Sequence, residues 1–180
     1  MSESRDDLLA RVLEFAARDG LADRSLREIA TGVGTSHRML LYHFGSREGL
    51  LAAVVGAMEA QQRATMAALA ETAATPAELM TGVWQAVSSP EVRPFVRLFF
   101  EVLALTTRGG APGPDGLTAS WLDDAEKAGE RLGIETDRAS LRLGVAVTRG
   151  LLVDLVAGED PAEVDAAYAL FIQLAADPKQ

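Results

Sequence analysis

The sequence contains no cysteine, which excludes disulfides, thiolate metal sites and cysteine nucleophiles at once. Histidine is nearly as scarce: there are two in 180 residues, His37 and His43, and both fall in one short stretch. No Gly-x-x-x-x-Gly-Lys phosphate loop is present, and Gly32 and Gly34 follow a helical segment rather than a strand. Asp123 and Asp124 are adjacent, so they do not share a helix face as paired metal ligands would at i, i+3 or i, i+4. An enzyme, a metal site and a cofactor are therefore not expected. A long uninterrupted apolar run is missing too. Leu141 to Ala157 is broken by Arg142, Arg149 and Asp154, too many charges for a bilayer span. Met1 to Asp7 is polar and acidic, unlike a secretory signal. A soluble, cytoplasmic protein without membrane contact is expected. Aromatics make up only 6% of the residues, while apolar types reach 48% with Ala and Leu dominant, a composition that suits helices packed on helices. The expected fold class is all-α.

Positive charge is also in short supply, with a net charge of −9, but its distribution is uneven. Residues 1–47 hold seven Arg against seven Asp or Glu, whereas residues 48–180 hold ten basic and nineteen acidic side chains. Between Ser25 and Arg47, Arg27, Arg38 and Arg47 face Glu28 alone, with both histidines beside them. A locally basic stretch on an acidic body leaves one face able to approach phosphate.

Periodicity gives the organisation. Leu8, Leu9, Val12, Leu13, Phe15 and Ala16 recur with helical spacing, predicting a first helix from about Asp6 to Arg18 that ends at Gly20 in a left-handed cap. Ser25-Leu-Arg-Glu28 is a capping box that opens a second helix with Leu26, Ile29, Ala30 and Val33 inward. It stops at Gly32 to Gly34, and Ser36 caps a third helix through Phe44. Two short helices joined by a tight glycine-containing turn have the geometry of a helix-turn-helix. A long fourth helix is expected from Arg47 to about Glu71, and a fifth from the Thr75-Pro-Ala-Glu78 box to Val87. Ser89-Pro90 opens the next helical region, with Pro94 in its first turn or at a kink. Arg108 to Gly116 is the one plain loop. A shorter helix at Thr118 to Leu132 precedes two long ones, Asp137 to Ala157 and the helix opened by Asp160-Pro-Ala-Glu163. Eight or nine helices result. They fall into a helix-turn-helix domain over residues 1–50 and a second helical domain over residues 51–180.

In a DNA-reading helix-turn-helix the recognition helix keeps a few apolar residues inward and presents the others to base edges. Leu40 and Phe44, at i and i+4, supply the inward pair; His37, Arg38, Leu41 and Tyr42 then face outward, with Met39 inside the same segment. Arg38 can donate two hydrogen bonds to guanine, His37 can donate or accept, and Leu41 can lie against a thymine methyl. Ser25, Ser36, Tyr42, His43 and Arg47 are placed to reach phosphates, and so position rather than specify.

Ser25-Leu-Arg-Glu-Ile-Ala30, Gly34-Thr-Ser36, Leu40-Leu-Tyr-His-Phe44 and the following Ser-Arg-Glu-Gly-Leu-Leu51 together resemble the DNA-binding domain of tetracycline-repressor (TetR) family regulators, over roughly Leu8 to Val55. The resemblance implies Ser25 as a phosphate-contacting cap, Ser36 to Tyr42 as the recognition helix, His43 as a backbone contact, and Arg47 in place of the usual lysine. Leu41 stands where that family usually has an aromatic, and Arg38 where glycine or proline is frequent; both departures bear on the operator sequence. The resemblance also implies a homodimer formed by the last two long helices, a ligand cavity among the helices between, and repression of genes next to a pseudo-palindromic operator that ligand binding relieves.

The rest of the chain agrees with those expectations. Leu141, Val145, Leu152 and Leu155, with Leu143, Val147 and Leu151, make the eighth helix apolar nearly all round, more than a peripheral monomer helix needs. Val164, Tyr168, Phe171, Ile172 and Ala175 of the last helix complete a four-helix interface. The middle segment concentrates Trp84, Phe95, Phe99, Phe100 and Trp121 in a chain with ten aromatics, and such residues suit the lining of a cavity for a small, largely apolar ligand. Aromatics at helical spacing also serve as ordinary core. The competing reading, a helical carrier, adaptor or enzyme that keeps the fold without binding DNA, is separated by a mobility-shift assay, since only a regulator binds duplex with steep salt dependence.

Overall fold

A computed structural model describes residues 4–21, 23–107, 119–133 and 137–176. Within them the chain forms nine helices and no strand: α1 (Arg5–Asp19), α2 (Leu26–Gly32), α3 (His37–Phe44), α4 (Arg47–Thr72), α5 (Pro76–Ser88), α6 (Arg93–Thr107), α7 (Ala119–Arg131), α8 (Arg138–Ala157) and α9 (Pro161–Ala176). The fold is all-α. The loop expected at Arg108 to Gly116 lies outside the described residues. None of the helices among the described residues is long and apolar enough to cross a membrane.

The chain divides into two units, one containing residues 4–60 and 94–107, the other residues 61–93, 119–133 and 137–176. The boundary expected at residue 50 falls within α4. α4 is one unbroken helix of 26 residues that runs on past it, and α6 from Pro94 onward belongs with the N-terminal helices.

In the first unit, Leu8, Val12, Phe15 and Ala16 of α1 are buried together with Leu26, Ile29 and Ala30 of α2, Leu40 and Phe44 of α3, and Leu50, Leu51, Val54 and Val55 of α4. The helix boundaries follow from capping. Ser25 forms a complete capping box: its hydroxyl accepts from the Glu28 amide at 3.3 Å, and its own amide donates to the Glu28 carboxylate at 2.8 Å. Ser36 caps α3 by accepting from the Met39 amide at 3.1 Å, and Ser46 caps α4 by accepting from the Gly49 amide at 3.0 Å. Gly20 ends α1 with positive φ but not in the left-handed helical region: at φ 73 and ψ 162 it leaves in an extended path, while its amide still bonds to the Ala16 carbonyl. Two glycines allow close approach rather than a turn. A Cβ on Gly32 would lie 2.2 Å from the Phe15 ring, and one on Gly49 would lie 2.1 Å from the Phe44 carbonyl oxygen.

In the second unit the core is built from Trp84 and Val87 of α5, Leu155 of α8, and Val164 and Tyr168 of α9, with Leu151, Leu152, Phe171 and Ile172 packed against it. Trp84 and Tyr168 stack at 4.3 Å between centroids and 13° between planes, and the Trp84 Nε1–H donates to Asp165 Oδ1 at 2.8 Å. Burial pushes the Tyr168 hydroxyl's pKa up. The other two capping boxes form in altered shape. Thr75 accepts from Glu78, but the Glu78 carboxylate takes the Ala74 amide instead of Thr75's. Asp160 accepts from Ala162, and Glu163 makes no return bond among the described residues. α7 is tied to its neighbours by charge: Arg131 reaches Glu71 on α4, Arg63 reaches Asp124, and Arg138 on α8 bridges Asp123 and Glu126.

Candidate nucleic-acid interface

α3 carries the candidate reading face. With Leu40 and Phe44 buried beneath it, Arg38, Leu41 and Tyr42 are exposed, Tyr42 to 78%. His37 and Met39 are half-buried on the flanks of that face. Ser25 and Ser36 sit exposed at the starts of α2 and α3. Ser36 uses a lone pair on its cap, so its O–H remains to donate to an anion, whereas the Ser25 O–H is directed to the Glu28 carboxylate. The Ser25 bonds also hold the Glu28 carboxyl below its ordinary pKa, the side-chain bond with the Ser25 hydroxyl contributing most.

Two of the positions expected to contact phosphate are arranged differently from what the sequence suggested. Arg47 does not stand free: its Nε–H donates to the Arg24 carbonyl at 2.9 Å, and its Nη2 lies 3.4 Å from Glu101 Oε1 on α6. The sequence offered no sign of Glu101, because the partner is 54 residues away. His43 packs edge-on to Tyr42 at 5.0 Å and tilted against Phe44 at 6.3 Å. Its Nε2 is shut from solvent without a hydrogen-bond partner, so only the other ring nitrogen is available to a backbone oxygen in this conformation.

The cations in this unit sort clearly. Arg5 lies near Asp6 and over the Phe44 ring, Arg18 pairs with Asp19, and Arg24 donates to the Asp19 carbonyl. Arg11 and Arg47 are also engaged. Among the described residues of α1 to α4, that leaves Arg27 and Arg38 as the arginines with no hydrogen bond, ion pair or ring contact, and both are exposed. Arg27, on α2 one turn from Arg24, was counted in the basic stretch but not singled out by sequence. What distinguishes it is that its side chain forms no ion pair among the described residues, although Glu28 is adjacent in sequence.

The second unit distributes the remaining candidates. Trp121 helps line a shallow apolar depression with Gln62, Thr65, Met66, Leu69 and Val87. It has no enclosed room even for a water molecule, unlike the ~300–1,000 Å³ of most small-molecule sites. Trp84 does not line it: this tryptophan is core, stacked on Tyr168. Phe95, Phe99 and Phe100 belong to α6 in the first unit, Phe99 edge-on to Phe100 at 5.3 Å. The five aromatics therefore do not form one cluster within either unit.

Within the single chain the expected dimer residues differ in burial. Leu155, Val164 and Tyr168 are buried in the chain's own core, and Leu141, Val145, Leu152, Phe171 and Ile172 are half-buried. The outward face of α8 is instead Leu143, Ala146, Gly150, Val153 and Ala157, at alternating three- and four-residue spacing, and that of α9 includes Ala166, Leu170 and Leu174, the last 65% exposed. Three and four is the spacing of one helix stripe, and contiguous exposed apolar surface of this kind marks an interaction site.

Comparison with known proteins finds a family likeness over α1 to α3 and the start of α4. The family model of bacterial regulatory proteins of the tetR family matches residues 6–54. No curated protein sequence matches the chain. Among solved structures, a TetR-family transcriptional regulator from Pectobacterium atrosepticum superposes with a TM-score of 0.74 at 23% identity, covering 94% of this chain and 90% of that one. A transcriptional regulator described as putative from Rhodococcus sp. RHA1 gives 0.72 at 18% identity, with 98% and 96% covered. A multidrug binding protein, EbrR, complexed with imidazole gives 0.62 at 22% identity, with 98% and 92% covered. At these identities the likeness establishes the fold along nearly the whole chain.

Proposed function

We propose, from the match of residues 6–54 to the family model of bacterial regulatory proteins of the tetR family, that this chain is a cytoplasmic, ligand-responsive repressor that binds a pseudo-palindromic operator as a homodimer. DNA-binding transcriptional regulation is supported by the family model's match over residues 6–54; the dimer, the ligand and the sign of regulation are this proposal's own. The observation that carries it is α3: a short helix fixed from behind by Leu40 and Phe44, with Arg38 unpaired and Leu41 and Tyr42 exposed on its outer side. A rigid helix with polar and apolar groups bared on one side is what a major groove accepts. Ser36 supplies a positioning hydroxyl at its edge.

The homodimer is supported by the bare stripes of α8 and α9, which pair with copies of themselves in a four-helix arrangement around a two-fold axis. A two-fold dimer sets two reading heads against two half-sites, about 34–36 Å apart for successive major grooves. The ligand role is supported by the apolar depression beside Trp121 and by the similar fold of a protein described as multidrug binding. A depression this shallow has to open to accept a ligand, and α4, which lines it through Gln62, Thr65 and Met66 and begins beside the recognition helix at Arg47, is the element through which opening would change head spacing.

The deciding experiment is selection of bound fragments from a random duplex pool, followed by titration across salt. A two-fold symmetric motif and an affinity falling steeply with salt are expected; binding that is absent, or that shows no sequence preference, overturns the proposal. Thermal-shift screening then tests the sensor, which fails if no compound in a broad apolar library raises the melting temperature.

A further inference from the structure

Arg47 opens α4 with its charge already committed. The Nε–H bond to the Arg24 carbonyl, at 2.9 Å, ties it to the approach of α2, and Glu101 on α6 lies 3.4 Å from Nη2. The two side chains are 27% and 28% exposed, so water and salt screen them less than a surface pair. A carboxylate and a phosphodiester present similar anionic oxygens to the guanidinium fork. What Glu101 occupies is thus a group fitted for DNA backbone, at the first turn of a helix whose N-terminus also favours anions.

We propose that Glu101 is a built-in competitor for Arg47: its carboxylate holds the guanidinium that would otherwise bind a DNA phosphate, so that α6 sets the strength of one backbone contact made by the head. This rests on the DNA-binding reading of the head. Glu101 acts through Arg47 and is a positioning residue. Because a phosphate contact carries no sequence information, the device scales affinity for every duplex alike. Any displacement of α6 that draws Glu101 away from Arg47 strengthens binding, and any that seats it more firmly weakens binding.

The test uses the full-length chain and fluorescence anisotropy with an operator duplex and a scrambled one, from about 50 to about 200 mM salt. Glu101→Gln is expected to bind both duplexes about three- to fivefold tighter at low salt, with a log–log salt slope steeper by about one. In the Arg47→Ala background the same substitution is expected to change nothing. Glu101→Asp keeps the charge and is expected to stay near wild type, which separates charge from packing. Unchanged or weaker binding by Glu101→Gln overturns the proposal. So does a gain that survives Arg47→Ala, since Glu101 would then repel DNA on its own account, and so does a Glu101→Asp that tightens binding as Glu101→Gln does. Wild-type protein that binds neither duplex refutes the reading of the head itself, and that result is visible before any variant is made.

Discussion

Arg38→Ala isolates the base-reading role most sharply, because the side chain does nothing else. It is exposed, it lies in the first turn of α3, and it has no hydrogen bond or ion pair within the described residues. Its loss should therefore leave folding stability within ~0.5 kcal/mol of wild type, as for surface substitutions away from specific contacts. On DNA the expectation is different. A guanidinium donating two hydrogen bonds to guanine O6 and N7 discriminates by ~1–3 kcal/mol, which corresponds to a loss of roughly five- to 150-fold in affinity for the preferred duplex. The loss should vanish on duplexes already carrying another base at that position. Titrating wild type and variant against the selected operator and each single-base substitution of one half-site gives the full comparison. The expected pattern is one flattened position per half-site, symmetrically related, with the salt slope unchanged because no phosphate contact is lost. Arg38→Lys should not rescue it, since an ammonium lacks the planar fork. A uniform loss across all duplexes, with a slope shallower by about one, would make Arg38 a phosphate ligand and refute the division between reading and positioning.

Gly32→Ala should destabilise the head by ~1–3 kcal/mol despite alanine's better helix propensity, because the new Cβ would meet the Phe15 ring at 2.2 Å; calorimetry should show the cost, and Phe15→Leu in the same background should recover part of it. The Glu28 carboxyl, held low by its bonds to Ser25, contributes stability that is present above its unfolded pKa near 4.5 and is lost as pH falls through the lower folded value. An NMR titration should place its midpoint below 4.5, and Glu28→Gln should reduce the acid sensitivity of the head in that window. Leu170→Glu places like charges together at a two-fold interface, so sedimentation equilibrium should find monomer, with binding to the palindrome reduced to that of a single half-site; a dimer that persists would move the interface away from α9.

The head was legible in the sequence because its signals are local. A capping box such as Ser25 to Glu28 spans four residues, and the inward pair Leu40 and Phe44 is set by helical period alone. Helix ends came within a residue or two for the same reason. What escaped was set at distance. Nothing near Arg47 foretells Glu101, and nothing near Arg27, with Glu28 beside it, shows that its side chain would form no ion pair among the described residues. The extended exit at Gly20, at φ 73 and ψ 162, is a path that glycine alone takes readily, and it leads into Leu21, buried at 3% exposure.

The last two helices show how the same limit works on packing. A helix apolar nearly all round signals two buried faces, but not which residues belong to each. In α8 and α9 the phase is set by one feature of the second unit, the Trp84–Tyr168 stack at 4.3 Å with Asp165 receiving the indole N–H at 2.8 Å. With Tyr168 turned inward on α9, Val164 one turn earlier goes inward too, which leaves Ala166, Leu170 and Leu174 outward. Leu155 meets the same core from α8, which bares Leu143, Ala146, Gly150 and Val153. Two helices that have already satisfied their own core still carry an apolar stripe each, and exposing both costs about 25 cal/mol per Å² of surface left in water. Under the proposed homodimer, a second copy of the chain offering the same two stripes would remove that cost for both partners at once. The indole–phenol stack therefore does more than fill the monomer's core: by fixing the rotation of α9, it decides which residues a partner would meet.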